Sequence, residues 1–412
     1  MLELAAFLLV LVAATTVSLY RLALRRMVRG VPETRLAETG AAEAGSPGSA
    51  PAFRVAFLTC TRADEALIAD KIANLAACRA AVPGSRALLF VDGGEVPSID
   101  AARSVGVEIE ASPRRVGKIA GLERLLARAR ADVAVMSDVN VFLEPDAVRR
   151  ALRRFADEGL GAVQLVVENR QDDAELAGAL GGYARSDLEV CALETRLASM
   201  VHLDGSACAV RPDCLRTLVP GMADDQAMAF DVLLAGRRIA LHPERAAYEV
   251  GRTSLRSELG RKVRVACNSF CTHLHFRERL HELPGRVKAF YVFHKFLRWL
   301  LPFQLALIGL LLGVILWRAV GPQGLLAIAA GGLLVTALAA VVSLRARRVL
   351  VLVAFLAASG WGVMRAMAGR HFVSWQGSRT EAETRAEMRA TAPAEVRAGA
   401  PAGVSRRGER AA

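Results

Sequence analysis

Cysteine is scarce in this chain and carries no pattern. Seven residues, an odd number at irregular spacings, give no disulfide framework and fit a reducing cytosol. Cys267 and Cys271 lie one helical turn apart without a second cysteine pair or a well-spaced histidine pair, so no zinc site is expected of them. Aromatic residues make up only 6% of the chain and form no platform interleaved with basic side chains. With no recognition motif either, the net charge of +12 does not mark a nucleic-acid-binding protein. Much of the arginine excess (Arg345, Arg347, Arg348 and the tail) borders apolar runs, where anionic headgroups are the natural partner. No internal repeat is present. The first apolar run has Glu3 in place of a basic leader and no convincing small-residue cleavage site, so it reads as a retained anchor, with a cleaved signal peptide as the lesser alternative.

Hydrophobic residues, at 53%, are the excess, and four runs account for it. Leu4–Tyr20 has 17 residues, Trp299–Trp317 has 19, Leu325–Leu344 has 20 and Val349–Met364 has 16. Crossing the hydrocarbon takes about 20 apolar residues. The middle two meet that length, the first is marginal, and the last is short and broken by Gly360 and Gly362. It is expected to be re-entrant or interfacial. Arg21, Arg25, Arg26 and Arg29 follow the first run and place its C-terminal end in the cytoplasm. The expected location is therefore the inner (plasma) membrane, multi-pass, with the domain after the first run cytoplasmic.

Between the runs, short buried-looking strands alternate with amphipathic helices. Arg54–Leu58, Ala87–Val91, Val105–Glu110, Val133–Met136 and Ala162–Val167 read as strands, and Asp64–Ala81, Lys118–Arg130 and Pro145–Asp157 as helices. Further strands are expected within 203–210 and at Ile239–Leu241, and helix over 253–298. This alternation predicts an α/β fold with a mostly parallel sheet and helices on both faces. Ligands in such sheets gather at the C-terminal strand ends, where Thr59, Asp92 and Asp138 fall.

The motifs follow one another in a fixed order: Thr59-x-Thr61-Arg62-x-x-Glu65, Val91-Asp92-Gly93, Gly117-Lys118, Ser137-Asp138-Val139-Asn140, Asp204-Gly205-x-x-x-Ala209-Val210-Arg211 and Ala223-Asp224-Asp225. No one of them is specific, but the ordered set resembles the inverting family 2 glycosyltransferases of the GT-A fold. The likeness is to membrane-integrated bacterial members: cellulose-, hyaluronan- and poly-N-acetylglucosamine-synthase-like and ceramide-glucosyltransferase-like proteins.

That resemblance implies the residue roles. Thr59, Thr61, Arg62, Glu65, Asp92, Gly93, Lys118 and Asp138 would bind a nucleotide-sugar donor, expected to be a UDP-sugar. Asp138 and Asn140 would hold Mg²⁺ or Mn²⁺, although the family pattern is Asp-x-Asp and Asn140 removes one charge. Asp225 would be the base that deprotonates the acceptor hydroxyl, with Asp224 beside it. Asp204 and Gly205 would lie toward the acceptor and diphosphate, with Arg261 and Arg264 gripping the leaving group.

The residues alone also allow plainer readings. Asp138-x-Asn140 and Asp92-Gly93 are ordinary turn dipeptides, and Thr61 or Asp64 is an ordinary helix cap. Lys118 fits a solvated basic patch, and Asp224-Asp225 fits the positive end of a helix dipole. Processive synthases carry Gln-x-x-Arg-Trp after the base, whereas this chain has Gly260-Arg261-Lys262-Val263-Arg264-Val265. Both single-sugar transfer to a lipid and an unusual polymer stay open.

The resulting division is 1–29 as anchor and basic flank, 30–51 as linker and 52–285 as a cytoplasmic GT-A domain. It continues with 286–298 as an interfacial amphipathic helix, 299–368 as two spans plus one short re-entrant segment or third span, and 369–412 as a basic, disordered tail. Partners would be the donor, a lipid or polysaccharide acceptor and the membrane, with no nucleic acid. The alternative is a non-catalytic membrane scaffold on a degenerate GT-A fold, favoured by Asn140 and opposed by Asp92, Asp138 and Asp225. A Trp-x-x-x-Arg pattern, Trp375 to Arg379, would return to the active-site mouth in the resembled enzymes.

Overall fold

The computed structural model describes residues 19–31, 53–62, 67–94, 99–170, 174–250 and 255–372. Glu65, most of the first apolar run, the 30–51 linker apart from its first two residues, and the tail pattern Trp375–Arg379 lie outside these residues.

In chain order the elements begin with α1 (Tyr20–Val28), β1 (Val55–Arg62), α2 (Ile68–Ala81), β2 (Arg86–Asp92), α3 (Ile99–Ser104), β3 (Val107–Ser112) and α4 (Lys118–Ala129). They continue through β4 (Val133–Ser137), β5 (Val141–Leu143), α5 (Pro145–Leu152), β6 (Leu160–Arg170), α6 (Ala174–Leu197) and β7 (Ala207–Val210). The last are α7 (Asp224–Leu234), β8 (Arg238–Val250), α8 (Leu255–Phe276), α9 (Gly285–Tyr291), α10 (Leu297–Val342) and α11 (Leu344–Met367).

Among the described residues, eight strands join one sheet in the order β3-β2-β1-β4-β7-β6-β8-β5. The pairs β3–β2, β2–β1, β1–β4 and β6–β8 are parallel, while β7 and β5 pair antiparallel. The α/β expectation with a mostly parallel sheet is met, with antiparallel insertions at β7 and β5.

Alternation along the strands divides the core in two. Val55 and Phe57 of β1 face α2 and α5, meeting Ile72, Leu75, Val148 and Leu152. Ala56, Leu58 and Cys60 face the opposite layer, with Leu122 and Leu125 of α4, Val190 of α6 and Phe230 of α7. Period-2 side-chain alternation in a fully covered sheet produces this division.

The segment 286–298 turns its aromatic side inward. Phe290 and Tyr291 are buried, and Tyr291 packs edge-on against Phe230 at 5.2 Å between ring centroids. The pattern expected for an interfacial helix thus has protein against its aromatic face. The basic flank after the first run is likewise engaged: α1 docks on α6 through buried Tyr20, Leu24 and Val28, and Arg25 pairs with Glu189.

Beyond Leu297 the surface becomes apolar and open: Leu310, Leu326, Leu333, Val341 and Val342 are all exposed. Two helical stretches, Gly285–Val342 and Leu344–Met367, are long and apolar enough to cross a membrane. The first is interrupted at Gly321 (φ +74°), just before Pro322, which separates the two expected apolar runs. The 16-residue run expected to be short lies inside α11, a continuous helix of 24 residues. Its N-terminal extension begins at a cap in which Ser343 Oγ accepts from Ala346 N. Gly362 lets α11 approach α8 closely, because a Cβ there would stand 2.5 Å from Val263 O.

Candidate active site

The polar residues singled out above converge at one edge of the sheet, where β2 and β4 end and α4 and α7 begin. Helix α4 starts after Gly117 (φ +90°) without an acidic residue in its first turn, and offers Lys118 instead. Helix α7 opens with Asp224 and Asp225, favourable charges at a helix N-terminus.

Lys118 ties these ends together. Its Nζ lies 2.9 Å from Asp138 Oδ1 and 2.9 Å from Asp224 Oδ2. Burial alone would push the ammonium down, but Asp138 and Asp224 outweigh it and hold the pKa well above the usual lysine value. A permanent cation is thus fixed between the Asp138–Asn140 loop and the acidic pair.

Asp92, almost fully buried, accepts hydrogen bonds from Val116 N (2.6 Å) and Gly117 N (3.0 Å). Its carboxylate thereby sets the turn that presents Lys118. Gly93 has φ +80°, and a Cβ on it would collide with Arg115 Cγ at 2.4 Å, so glycine is required there. Arg62 pairs in register with Asp92 across β1 and β2.

Thr59 and Thr61 are buried on the α2 side of β1, and Thr59 Oγ1 lies 3.4 Å from Ser137 Oγ. The Thr59 hydroxyl thus underlies the 137–141 loop, while Thr61 Oγ1 donates to Arg62 O. Lys71 of α2, also fully buried, donates to Ser137 Oγ and to Val141 O, bracketing the loop from below. Burial lowers its pKa to about 7.

Asn140 Nδ2 donates to Glu249 Oε1 at 3.0 Å, and Val250 N donates to Asn140 O at 2.9 Å. Glu249, from the end of β8, was not found from the sequence. Burial raises its pKa, Arg261 opposes that, and Asp204 and Asp138 add to it. Asp138, Asn140 and Glu249 form an all-oxygen, hard donor set, and the chemistry of that set fits Mg²⁺ or Mn²⁺.

Asp225 is held by Gly205 N at 3.2 Å and by Gln226 N at 2.7 Å. Its pKa is raised to about 7, chiefly by burial and then by the charges of Asp224 and Asp204. Gly205 earns its place through close approach: a Cβ there would sit 3.3 Å from Asp225 Oδ2. Gly205→Ala should therefore displace the carboxylate by a few tenths of an ångström.

Asp204 accepts from Ser206 N and Oγ, and its own N–H donates to Gln164 Oε1 at 2.6 Å. On α8, Arg261 is bound to Glu258 through Nε and one terminal nitrogen. Arg264 lies within electrostatic reach of Asp138 and Asp224; burial and Arg261 lower its pKa, and those two carboxylates oppose the shift. The chain returns to this neighbourhood after α11. Asn268 on α8 exchanges hydrogen bonds with Phe372, and a Cβ on Gly221 would stand 2.4 Å from His371 Cδ2.

Among known proteins, the model of the family described as "Glycosyltransferase like family 2" matches residues 51–268, more than half of the chain. The chain belongs to that family. Its fold is similar to that of the mannosyltransferase PcManGT from Pyrobaculum calidifontis, solved in complex with GDP-Man and Mn²⁺, with TM-score 0.66 and 19% identity. That match covers 90% of this chain and 100% of the other. Glucosyl-3-phosphoglycerate synthase from Mycobacterium tuberculosis matches at TM-score 0.36 and 17% identity, over 54% of this chain and 79% of that one. No curated protein matches the chain. At these identities the likeness is one of fold, and the family 2 glycosyltransferase assignment rests on the family model.

Proposed function

We propose that this family 2 glycosyltransferase is a membrane-attached, metal-dependent enzyme that transfers a sugar, with inversion, from a nucleotide-sugar donor to a lipid or growing polysaccharide. The observation that carries the reading is Asp225: a half-buried carboxylate with its pKa near 7, held at a helix N-terminus beside the Lys118–Asp138 pair. The fold shared with a protein solved with GDP-Man and Mn²⁺ supports a donor of the same class.

In this reading Asp225 accepts the proton as the acceptor O–H bond breaks. The acceptor oxygen forms its bond to the anomeric carbon on the face opposite the diphosphate, and the bond from that carbon to the diphosphate oxygen breaks. Asp138 and Asn140, with Glu249 behind them, would hold Mg²⁺ or Mn²⁺, which when bound neutralises charge on the departing diphosphate. Lys118, Arg261 and Arg264 supply further positive charge toward that group. Asp92 orients the turn before Lys118. Residues 52–285 are the proposed catalytic unit, α10 and α11 the proposed membrane attachment, and the catalytic side is placed in the cytoplasm, where nucleotide sugars are made.

Two measurements test this. Proton NMR of the product formed from an α-linked donor should show a β linkage, and an α product would overturn inversion. The rate at limiting substrate should rise about tenfold per pH unit below the Asp225 pKa of about 7 and level off above it, because only the ionised carboxylate accepts a proton. Asp224→Asn should move this limb to lower pH by removing a charge that raises the pKa. A limb that does not move would show that Asp225 does not control it.

A further inference from the structure

A second polar cluster lies apart from the sheet edge and shares no residue with it. Asp187 and Cys191, four residues apart on one face of α6, meet His202 from the segment before β7 and His294 from the helical turn following α9. One ligand-capable atom from each lies within 4.8 Å of all the others. His294 Nε2 is 3.1 Å from Asp187 Oδ1, His202 Nε2 is 3.6 Å from Asp187 Oδ2, and Cys191 Sγ is 4.0 Å from His202 Nε2. Tetrahedral zinc, with bonds of about 2.0–2.3 Å, sets its ligand atoms about 3.3–3.8 Å apart. The three distances given lie within a few tenths of an ångström of that range, and the widest pairs, at up to 4.8 Å, would close by about 1 Å on binding.

Two further observations bear on the centre. His202 is 7% exposed and turns Nε2 into the cluster, 3.6 Å from Asp187 Oδ2 and 4.0 Å from Cys191 Sγ, both longer than an ordinary N–H···O bond. A bound cation would draw these groups into direct ligation. Nδ1, the nitrogen that does not face the cluster, has no hydrogen-bond partner among the described residues. His294 is held as metal-binding imidazoles commonly are. Nε2 points into the cluster while Nδ1 is fixed by Glu194 Oε1 at 2.8 Å, and that oxygen also accepts from Tyr20 OH at 2.7 Å.

We propose that Asp187, Cys191, His202 and His294 form a closed, structural Zn²⁺ site. Thiolate, imidazole and carboxylate are all ligands of tetrahedral zinc, and the mixed S/N character distinguishes this set from the all-oxygen set at Asp138. The two anionic ligands balance the dication, while Arg298 Nη1 also pairs with Asp187 Oδ1 and adds a positive charge beside the centre. Binding releases the thiol proton of Cys191 and any proton on the Nε2 atoms, so affinity rises with pH. The site joins α6 to the chain entering α10. It also pins His202, two residues before the Asp204–Gly205 turn that holds Asp225.

The test uses the full-length chain in detergent, purified without a polyhistidine tag or added metal. Elemental analysis should give about one zinc per chain, retained in Asp138→Ala and lost in Cys191→Ser and His202→Ala. Exchange with Co²⁺ should produce a thiolate-to-cobalt charge-transfer band with intense d–d bands of four-coordinate geometry, absent from Cys191→Ser. Should a variant fail to fold, the wild-type zinc content and cobalt spectrum decide alone. Folded wild-type protein that holds no zinc and gives no thiolate band with cobalt would overturn the site and leave a metal-free hydrogen-bond network. Zinc content unchanged in both folded variants would overturn it equally.

Discussion

Asp225→Asn is expected to lower turnover by about 10²- to 10⁴-fold while donor affinity stays near wild type. The amide keeps the shape of the side chain and can still accept from Gly205 N, which donates to Asp225 Oδ2 at 3.2 Å. What it loses is the ability to take a proton. The same substitution has a stability signature of definite sign. The folded-state pKa, about 7, stands above the ordinary aspartate value of 3.8, so ionising Asp225 costs folding free energy as pH rises through that interval. Asn carries no such cost. The variant loses the acceptor for Gln226 N at every pH, so the signature is the slope: its stability relative to wild type should rise from pH 4 to pH 8. Thermal melts across that range, beside single-turnover rates, separate the catalytic loss from misfolding. Near wild-type turnover would move the base elsewhere, with Asp224 the next candidate.

Asp138→Ala should remove the divalent-dependent part of donor binding, by more than about 100-fold, since the loss of outer-shell partners alone commonly costs 10- to 100-fold. Asp138 is the only carboxylate on the loop after β4, because Asn140 stands at the second position and is tied to Glu249. The substitution leaves Lys118 its second partner, Asp224, so the turn set by Asp92 should survive. Donor titrations with and without chelator measure the effect. Identical affinities in variant and wild type under both conditions would remove Asp138 from the site.

The central strands were legible because β1, β2 and β4 are short apolar runs that end in turn residues. β5 was not, since three residues, Val141–Leu143, carry no periodicity. β8 was read only at 239–241, yet it continues to Val250 through His242-Pro243-Glu244-Arg245, whose polarity conceals a strand with exposed positions. The proposed site divides in the same way. Asp92, Lys118, Asp138, Asp224 and Asp225 each lie beside a strand end or helix start, so local sequence places them. Glu249 belongs to no motif and reaches Asn140 only through the pairing of β5 with β8. Lys71 belongs to no motif, and only the packing of α2 under the 137–141 loop shows its burial. His294 falls in 286–298, expected as an interfacial amphipathic helix, while its partners Asp187 and Glu194 stand about a hundred residues earlier. Long-range pairing of this kind leaves no trace in periodicity.

The most direct test of the account is release of nucleoside diphosphate by the purified full-length protein across a panel of UDP- and GDP-sugars, with Mn²⁺, with Mg²⁺ and with chelator. The account predicts release from at least one donor, dependent on the divalent ion and lost in Asp225→Asn. No binding and no release with any donor, in folded protein supplied with metal, would contradict it and favour a non-catalytic scaffold.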